Sequence, residues 1–293
     1  MADQAEKLRS IIKGQNQSRQ QTARVITVTS GKGGVGKSNT AINLAIQFRK
    51  MNQRVLILDA DFGLANIEIM FGTVPKYNLY DLIYQGKSIR DVITWGPMEV
   101  GFISGGSGIV GMANLTKDYL NYIVQNLVEL DSMADVIIVD TGAGISDAVL
   151  EFLVASNEIL LVTTPEPTSI TDSYSLLKAL NRHNRFNADY TSINVLANKV
   201  KNEEEANTLY QKLNMVVSRY LKLPIAYLGY IPQDEQLARA VMQQMPVSIQ
   251  NPMSRSALAF RNAALKLMHQ EEESEKAKWG MRAFFSHIIA GRR

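Results

Sequence analysis

Cysteine is absent from the 293 residues of this chain, and histidine occurs only three times. The first absence excludes a disulfide framework, a thiolate zinc site, a cysteine-ligated iron–sulfur cluster and a cysteine nucleophile. The second leaves too few ligands for a histidine-rich metal centre. Charge of one sign is also scarce: 31 Lys and Arg stand against 28 Asp and Glu, a net +3. That balance is no footprint of wholesale nucleic-acid binding, although a local patch would not register in it, so DNA is not an expected partner. Long apolar runs are missing too. No stretch approaches the roughly 18 consecutive apolar residues of a membrane span, and the polar opening segment has no signal-peptide core. Together these absences predict a soluble, cytoplasmic protein. With 46% hydrophobic residues a full core is available, which excludes wholesale disorder.

What is present alternates. Short Val/Ile/Leu-rich runs over Arg24–Thr29, Arg54–Asp59, Val100–Ser104, Asp135–Asp140, Glu158–Thr163, Ser192–Ala197 and Ile225–Tyr230 read as strands. Helical patterns lie between most of them, over Lys37–Met51, Lys117–Asp131, Ser146–Ala155, Ile170–His183 and Glu203–Tyr220. Near-continuous apolar strands alternating with helices predict an α/β fold with a parallel sheet covered on both faces. Ligands of such sheets sit outside the carboxyl ends of the strands, where Asp59, Ser104, Asp140 and the Thr163-Thr164-Pro165 turn fall. The expected organisation is one domain over residues 22–270, a leader over 1–21 and a tail over 271–293.

The sharpest motif is Gly31-Lys32-Gly33-Gly34-Val35-Gly36-Lys37-Ser38, which fits G-x-x-x-x-G-K-[ST] between a strand and a helix. Its glycines let successive backbone N–H groups curl around phosphate oxygens, and the helix N-terminus adds a favourable dipole. Lys37 would reach the β and γ phosphates, and the Ser38 hydroxyl would ligate Mg²⁺. Asn39 is counted with the loop as nucleotide-binding. Beyond strand β-ends, a carboxylate beside a bound phosphate must do work, because it would otherwise repel the ligand. Asp61 is suited to hold the attacking water, and Asp59 to the Mg²⁺ shell through water.

The second lysine of the loop, Lys32, is on its own a solvent-facing residue. With it, GKGGVGKS resembles the deviant phosphate loop of the MinD/ParA ATPases, a similarity that covers about residues 22–270. The segment Asp59-Ala60-Asp61-Phe62-Gly63-Leu64-Ala65-Asn66 is similar to switch I of the MinD-like members, and Val136–Asp140 to their Walker B strand. Thr141-Gly142-Ala143-Gly144 stands where MinD commonly has D-x-P-A-G, with Gly142 in place of proline. The resemblance implies a P-loop NTPase domain of the MinD type and an ATP-dependent homodimer around two ATP. Lys32 would then act across the interface with Lys37 and Asp61 as catalytic residues, Asn66 and Glu166 would help close the dimer, and Asp140 would lie near the metal.

Asn198-Lys199-Val200-Lys201 is superficially like the guanine-reading N-K-x-D, but Lys201 cannot accept from the guanine N1–H and N2–H₂ groups. By resemblance, Asn198 and the segment Ile231, Pro232, Gln233 would flank adenine, so the expected ligands are ATP and ADP with Mg²⁺. The cysteine count removes the nitrogenase-type and iron–sulfur-scaffold relatives. Within Lys276–Ile289, Met281, Phe284, Phe285, Ile288 and Ile289 gather on one side of a helical wheel, with Arg282, Ser286 and His287 opposite and the acidic run Glu271–Glu275 before them. This suits an anionic membrane surface. It also suits a terminal helix docked on its own domain or on a protein partner.

At the other end, Asp3-Gln4-Ala5-Glu6-Lys7-Leu8-Arg9 reads on composition as a fraying helix. It resembles the D-Q-A-x-x-L-R leader of the flagellar FlhG (YlxH) family of MinD-like ATPases. That resemblance implies control of flagellar number and placement, with Asp3, Gln4, Leu8 and Arg9 engaging an FlhF-type GTPase. It also implies cytoplasmic C-ring partners of the FliM/FliN/FliY type and reversible residence on the inner face of the cell membrane. The competing readings are a ParA-like DNA-partition ATPase and a MinD-like division-site ATPase.

Overall fold

The computed structural model describes residues 22–61, 66–105, 126–273 and 280–290. One eight-stranded sheet runs in the order β3-β4-β2-β5-β1-β6-β7-β8. Its strands are β1 (Arg24–Thr29), β2 (Val55–Ala60), β3 (Thr94–Trp95), β4 (Gly101–Ile103), β5 (Val136–Thr141), β6 (Glu158–Thr163), β7 (Ser192–Val200) and β8 (Ala226–Pro232). All neighbours pair in parallel except β3 with β4. The mostly parallel, helix-flanked sheet is the fold that the sequence pattern predicts. The short β3 escapes a reading by apolar runs because its two residues, one exposed, carry no periodicity.

The alternation of side chains along a strand divides each central strand between two cores. Ile26, Val28, Val55, Ile57, Val136 and Ile138 face one side, under α1 (Lys37–Lys50) and a helix over Arg255–Glu273. Val25, Leu56, Leu58, Ile137 and Val139 face the other. At the amino ends of β1 and β6, a buried Arg24–Glu158 pair forms two hydrogen bonds of 2.8 and 2.7 Å. A two-pronged pair of this kind keeps a buried charge satisfied at the pole opposite the phosphate loop.

Between these strands lie α2 (Asn66–Phe71), α3 (Leu79–Tyr84), α4 (Ile89–Val92), α5 (Leu130–Met133), α6 (Asp147–Ala155), α7 (Pro167–Asn181) and α8 (Glu203–Leu221). After β8 come α9 (Glu235–Met242), α10 (Val247–Gln250), α11 (Arg255–Glu273) and α12 (Met281–Ala290). The helix expected over Lys117–Asp131 falls largely outside the described residues. Helices α2 to α4 and α10 are too short to show a helical period, so apolar patterning does not reveal them.

The sequence pattern sets residues 271–293 apart from the domain, whereas the structure packs α12 onto it. Met281, Phe284, Phe285 and Ile288 are buried in the same core as Leu130, Phe152 and Ile137. Phe284 stacks on Phe152 of α6 with ring centroids 6.0 Å apart. Of the tail residues expected at a membrane, these four are therefore covered by the domain itself, and the side chain of Ile289 lies outside the described residues. The helix is held at its start by Asp131 of α5, whose carboxylate accepts from the backbone N–H of Met281 at 2.8 Å and of Arg282 at 3.4 Å. Gly280 makes room for this cap: a Cβ there would fall 2.5 Å from both Asp131 oxygens.

Asp131→Ala removes that cap from outside the helix. It should lower stability by about 1 kcal/mol, read as a lower midpoint in urea denaturation of the nucleotide-free protein.

Candidate active site

The carboxyl ends of β1, β2, β5, β6 and β7 converge on one loop, Ser30–Gly36, that opens α1. Gly34 and Gly36 take left-handed φ angles of 75° and 95°, which side chains disfavour. Gly31 is glycine for a different reason: a Cβ would lie 2.2 Å from the backbone carbonyl carbon of Asp172 in α7. The loop is tied from outside. Ser30 Oγ donates to the Lys32 carbonyl at 2.9 Å, and Asn198 Nδ2 donates to the Val35 carbonyl at 2.7 Å. Lys199 Nζ donates to the Gly34 carbonyl at 2.8 Å.

Lys37 is buried and directs its ammonium to Asp140, with Nζ 3.8 Å from Oδ1. Asp140 is fully buried, and neither of its oxygens has a well-formed hydrogen-bond partner. Burial drives its pKa up, while Lys37 and Ser38 oppose that shift. Asp59 is its direct partner across the β2–β5 ladder. Burial, and then the Asp140 charge, push Asp59 up to about 8, against hydrogen bonds from the Asp61 and Ile67 backbones. Two neighbouring buried carboxylates, the Asp140 oxygens without a partner and those of Asp59 held only by backbone N–H groups, beside an ammonium and the Ser38 hydroxyl, fit a divalent cation. Mg²⁺ typically takes one or two carboxylates and fills its shell with water and substrate phosphate. Among the described residues there is no cluster of three or more acidic or histidine side chains, so a dedicated all-protein metal cage is absent.

Asp61 follows at the end of β2, and a Cβ at Gly142 would lie 3.8 Å from its Oδ1. Switch I and the Thr141–Gly144 turn therefore meet at this carboxylate. The turn is fastened to the phosphate loop by the Gly144 N–H, which donates to the Ser30 carbonyl at 2.9 Å. Asn66 Nδ2 stands 3.5 Å from Asp61 Oδ2, too long to hold it firmly. Phe62 to Ala65 lie outside the described residues, as do Asp3, Gln4, Leu8 and Arg9. Lys32 is brought together with Glu166 within the same chain: its Nζ donates to Glu166 Oε2 at 2.5 Å and to Thr168 Oγ at 2.9 Å. The Lys32 ammonium in turn lowers the Glu166 pKa.

The resemblance places Asn198 beside the base, yet its two amide ends are engaged within the chain. Nδ2 serves Val35, and Oδ1 accepts from the Lys199 N–H at 2.8 Å. Ile231 and Pro232 are buried in the sheet, paired with Asn198 and Val200, so Ile231 is a core residue and not a free wall for a ligand. Gln233 is exposed beside them, its N–H bonded to the Val200 carbonyl. Two donors to the loop, Ser30 and Lys199, escape the motif reading because each acts through a backbone carbonyl, which no residue pattern marks.

Asp59 carries a pH signature. Its folded pKa lies above its unfolded value of about 3.9, so the folded state holds the extra proton across the interval up to about 8. Stability of the metal-free protein should fall as pH rises through that interval. Asp59→Asn should flatten the fall and raise Tm at pH 8 by roughly 5 °C, measured by scanning calorimetry without nucleotide or metal.

The CobQ/CobB/MinD/ParA nucleotide binding domain model matches residues 26–247. Antiactivator FleN of Pseudomonas aeruginosa is 41% identical over 244 residues, spanning 83% of this chain and 86% of FleN. Flagellum site-determining protein YlxH of Helicobacter pylori is 32% identical over 270 residues, 91% of this chain and 90% of its own. Among solved structures, the septum site-determining protein MinD complexed with Mg-ADP from Pyrococcus horikoshii superposes with a TM-score of 0.67. It is 22% identical and covers 88% of this chain and 100% of that one. The chain thus belongs to the CobQ/CobB/MinD/ParA nucleotide-binding family, as an ATPase of its flagellar FlhG (YlxH) branch.

Proposed function

We propose that this ATPase is a nucleotide-driven switch for flagellar number and placement, active as a homodimer that closes around two ATP. One observation carries the reading. A buried ammonium and two adjacent buried carboxylates (Lys37, Asp59, Asp140), with both Asp140 oxygens unpartnered, converge on a glycine loop that opens a helix. Without a phosphate and a cation, such an arrangement is costly and serves no folding purpose. Ser38, Asp59 and Asp140 would hold Mg²⁺, which supplies positive charge to the phosphate oxygens. Lys37 neutralises charge on the β and γ phosphates, and Asp61 orients the attacking water. Lys32 leaves Glu166 to reach the partner's nucleotide, and Asn66 and Glu166 lie at the closing interface.

In this reading α12 is the output. Docked as it stands, its apolar face is unavailable to lipid. Closure of the dimer around ATP frees two copies, which bind an anionic membrane through avidity. The protein then resides reversibly on the inner face of the cell membrane until hydrolysis. The residues Asp3, Gln4, Leu8 and Arg9 engage an FlhF-type GTPase and stimulate it, and C-ring proteins of the FliM/FliN/FliY type are further partners. The names of the relatives, an antiactivator and a flagellum site-determining protein, support the flagellar assignment.

Asp61→Ala should retain ATP binding and lower hydrolysis at least about 100-fold, measured by phosphate release. It should also trap the ATP dimer in gel filtration. Flotation with phosphatidylglycerol-containing liposomes should rise with non-hydrolysable ATP over ADP, and Asp131→Ala should raise it in both states. Equal flotation in the two nucleotide states discards the switch. Salt-sensitive DNA binding by the ATP dimer, with no flotation, favours the partition reading instead. An Asp3–Arg9 peptide should retain an FlhF-type GTPase in a pulldown, and its Gln4→Ala form should fail to stimulate GTP hydrolysis.

A further inference from the structure

The tip of the phosphate loop has almost no packing to hold it. A Cβ at Gly33 or Gly34 would meet nothing within 4 Å, and both residues are exposed. A loop without side-chain contacts can keep its shape only through backbone hydrogen bonds. Three outward carbonyls are bonded: Lys32 to Ser30, Gly34 to Lys199 and Val35 to Asn198. Every peptide bond described here is trans. In a trans peptide the C=O of one residue and the N–H of the next point to opposite sides. Fixing the carbonyls of residues 32, 34 and 35 outward therefore turns the N–H groups of Gly33, Val35 and Gly36 toward the concave side.

Two of those three donors are sequence neighbours on β7, which a regular strand forbids, since successive side chains point to opposite faces. The strand breaks the rule at this place. Its pairing with β8 shifts register between Asn198 and Val200, and Lys199 adopts a left-handed φ of 57°. A bulge with one residue in the left-handed region re-aims a side chain. Here it brings Lys199 to the same loop as Asn198. The close approach also needs Gly36, where a Cβ would fall 2.4 Å from Asn198 Nδ2. Backbone strain, a broken ladder and a missing Cβ thus serve one contact.

We propose that Lys199 is a positioning residue of the ATP site: with Asn198 it clamps the outward carbonyls of the phosphate loop and so presets the N–H groups that receive the phosphates. Its ammonium is bound to the Gly34 carbonyl and does not need to touch the nucleotide. The proposal rests on the nucleotide site described above. It assigns a task to Lys199, a residue outside the phosphate-loop motif.

The test compares Lys199→Met, Lys199→Gln and Lys199→Arg in the full chain, using a fluorescent ADP analogue and the thermal midpoint of the nucleotide-free protein. Lys199→Met should weaken ADP binding about fivefold, with the nucleotide-free midpoint within about 2 °C of wild type. Lys199→Gln and Lys199→Arg, which keep a donor, should recover most of that loss. The effect should persist at about 0.5 M salt, where charges more than a few ångströms apart are screened. Equal losses in Lys199→Met and Lys199→Gln that vanish at high salt would mean that Lys199 acts as a distant charge, and the clamp is wrong. Unchanged binding in Lys199→Met also overturns it. If Lys199→Met does not fold, the Gln variant decides: wild-type affinity supports the clamp, and a fivefold loss refutes it. A wild-type chain that binds no ADP at all would instead refute the ATPase reading beneath it.

Discussion

A pair of carboxylates buried side by side at the carboxyl ends of two adjacent strands is the constraint on which the site depends. Asp59 and Asp140 are neighbours because β2 and β5 pair in parallel and in register, so their carboxyl ends arrive together. Burial and mutual repulsion oppose ionisation of Asp59, and burial opposes it at Asp140. Among the described residues, the positive charge placed against Asp140 is Lys37, at 3.8 Å, and it comes from the first residue of the helix that the glycine loop opens. Loop, helix and strand ends are thereby coupled: moving any of them uncovers or crowds a buried charge.

The loop itself is a balance between freedom and restraint. Its glycines allow left-handed turns at Gly34 and Gly36 and the close approach of α7 at Gly31, but they leave the tip without packing. Restraint comes from three directions: Ser30 inside the loop, the Gly144 N–H from the neighbouring turn, and the Asn198-Lys199 bulge on β7. Glu166, at the cap of α7, occupies Lys32 from a fourth side. This salt bridge is exposed, so water competes with it and it can be exchanged at little cost.

The tail shows the same economy at larger scale. Four apolar residues of α12 complete a core that would otherwise expose Phe152, Leu130 and their neighbours. The helix is fastened by a single carboxylate at its start and by an Arg185 hydrogen bond to the His287 carbonyl near its end. Burial of this apolar face against the domain is what stabilises the docked helix.

The phosphate-loop motif, the two acidic strand ends and the alternation of strands with helices were legible in the residues alone. Local chemistry dictates them: glycine for unusual φ, lysine and serine for phosphate and metal, continuous Val and Ile for strands buried on both faces. The strand order, the register that pairs Asp59 with Asp140, and the engagement of Asn198 with Val35 depend on contacts between segments far apart in sequence. So do the two smallest features, the bulge that turns Lys199 to Gly34 and the Asp131 cap of α12. An amphipathic stripe states that Met281, Phe284, Phe285 and Ile288 need an apolar partner. Which partner they have is set by what the rest of the chain brings within reach, and here the fold places them against α5 and α6.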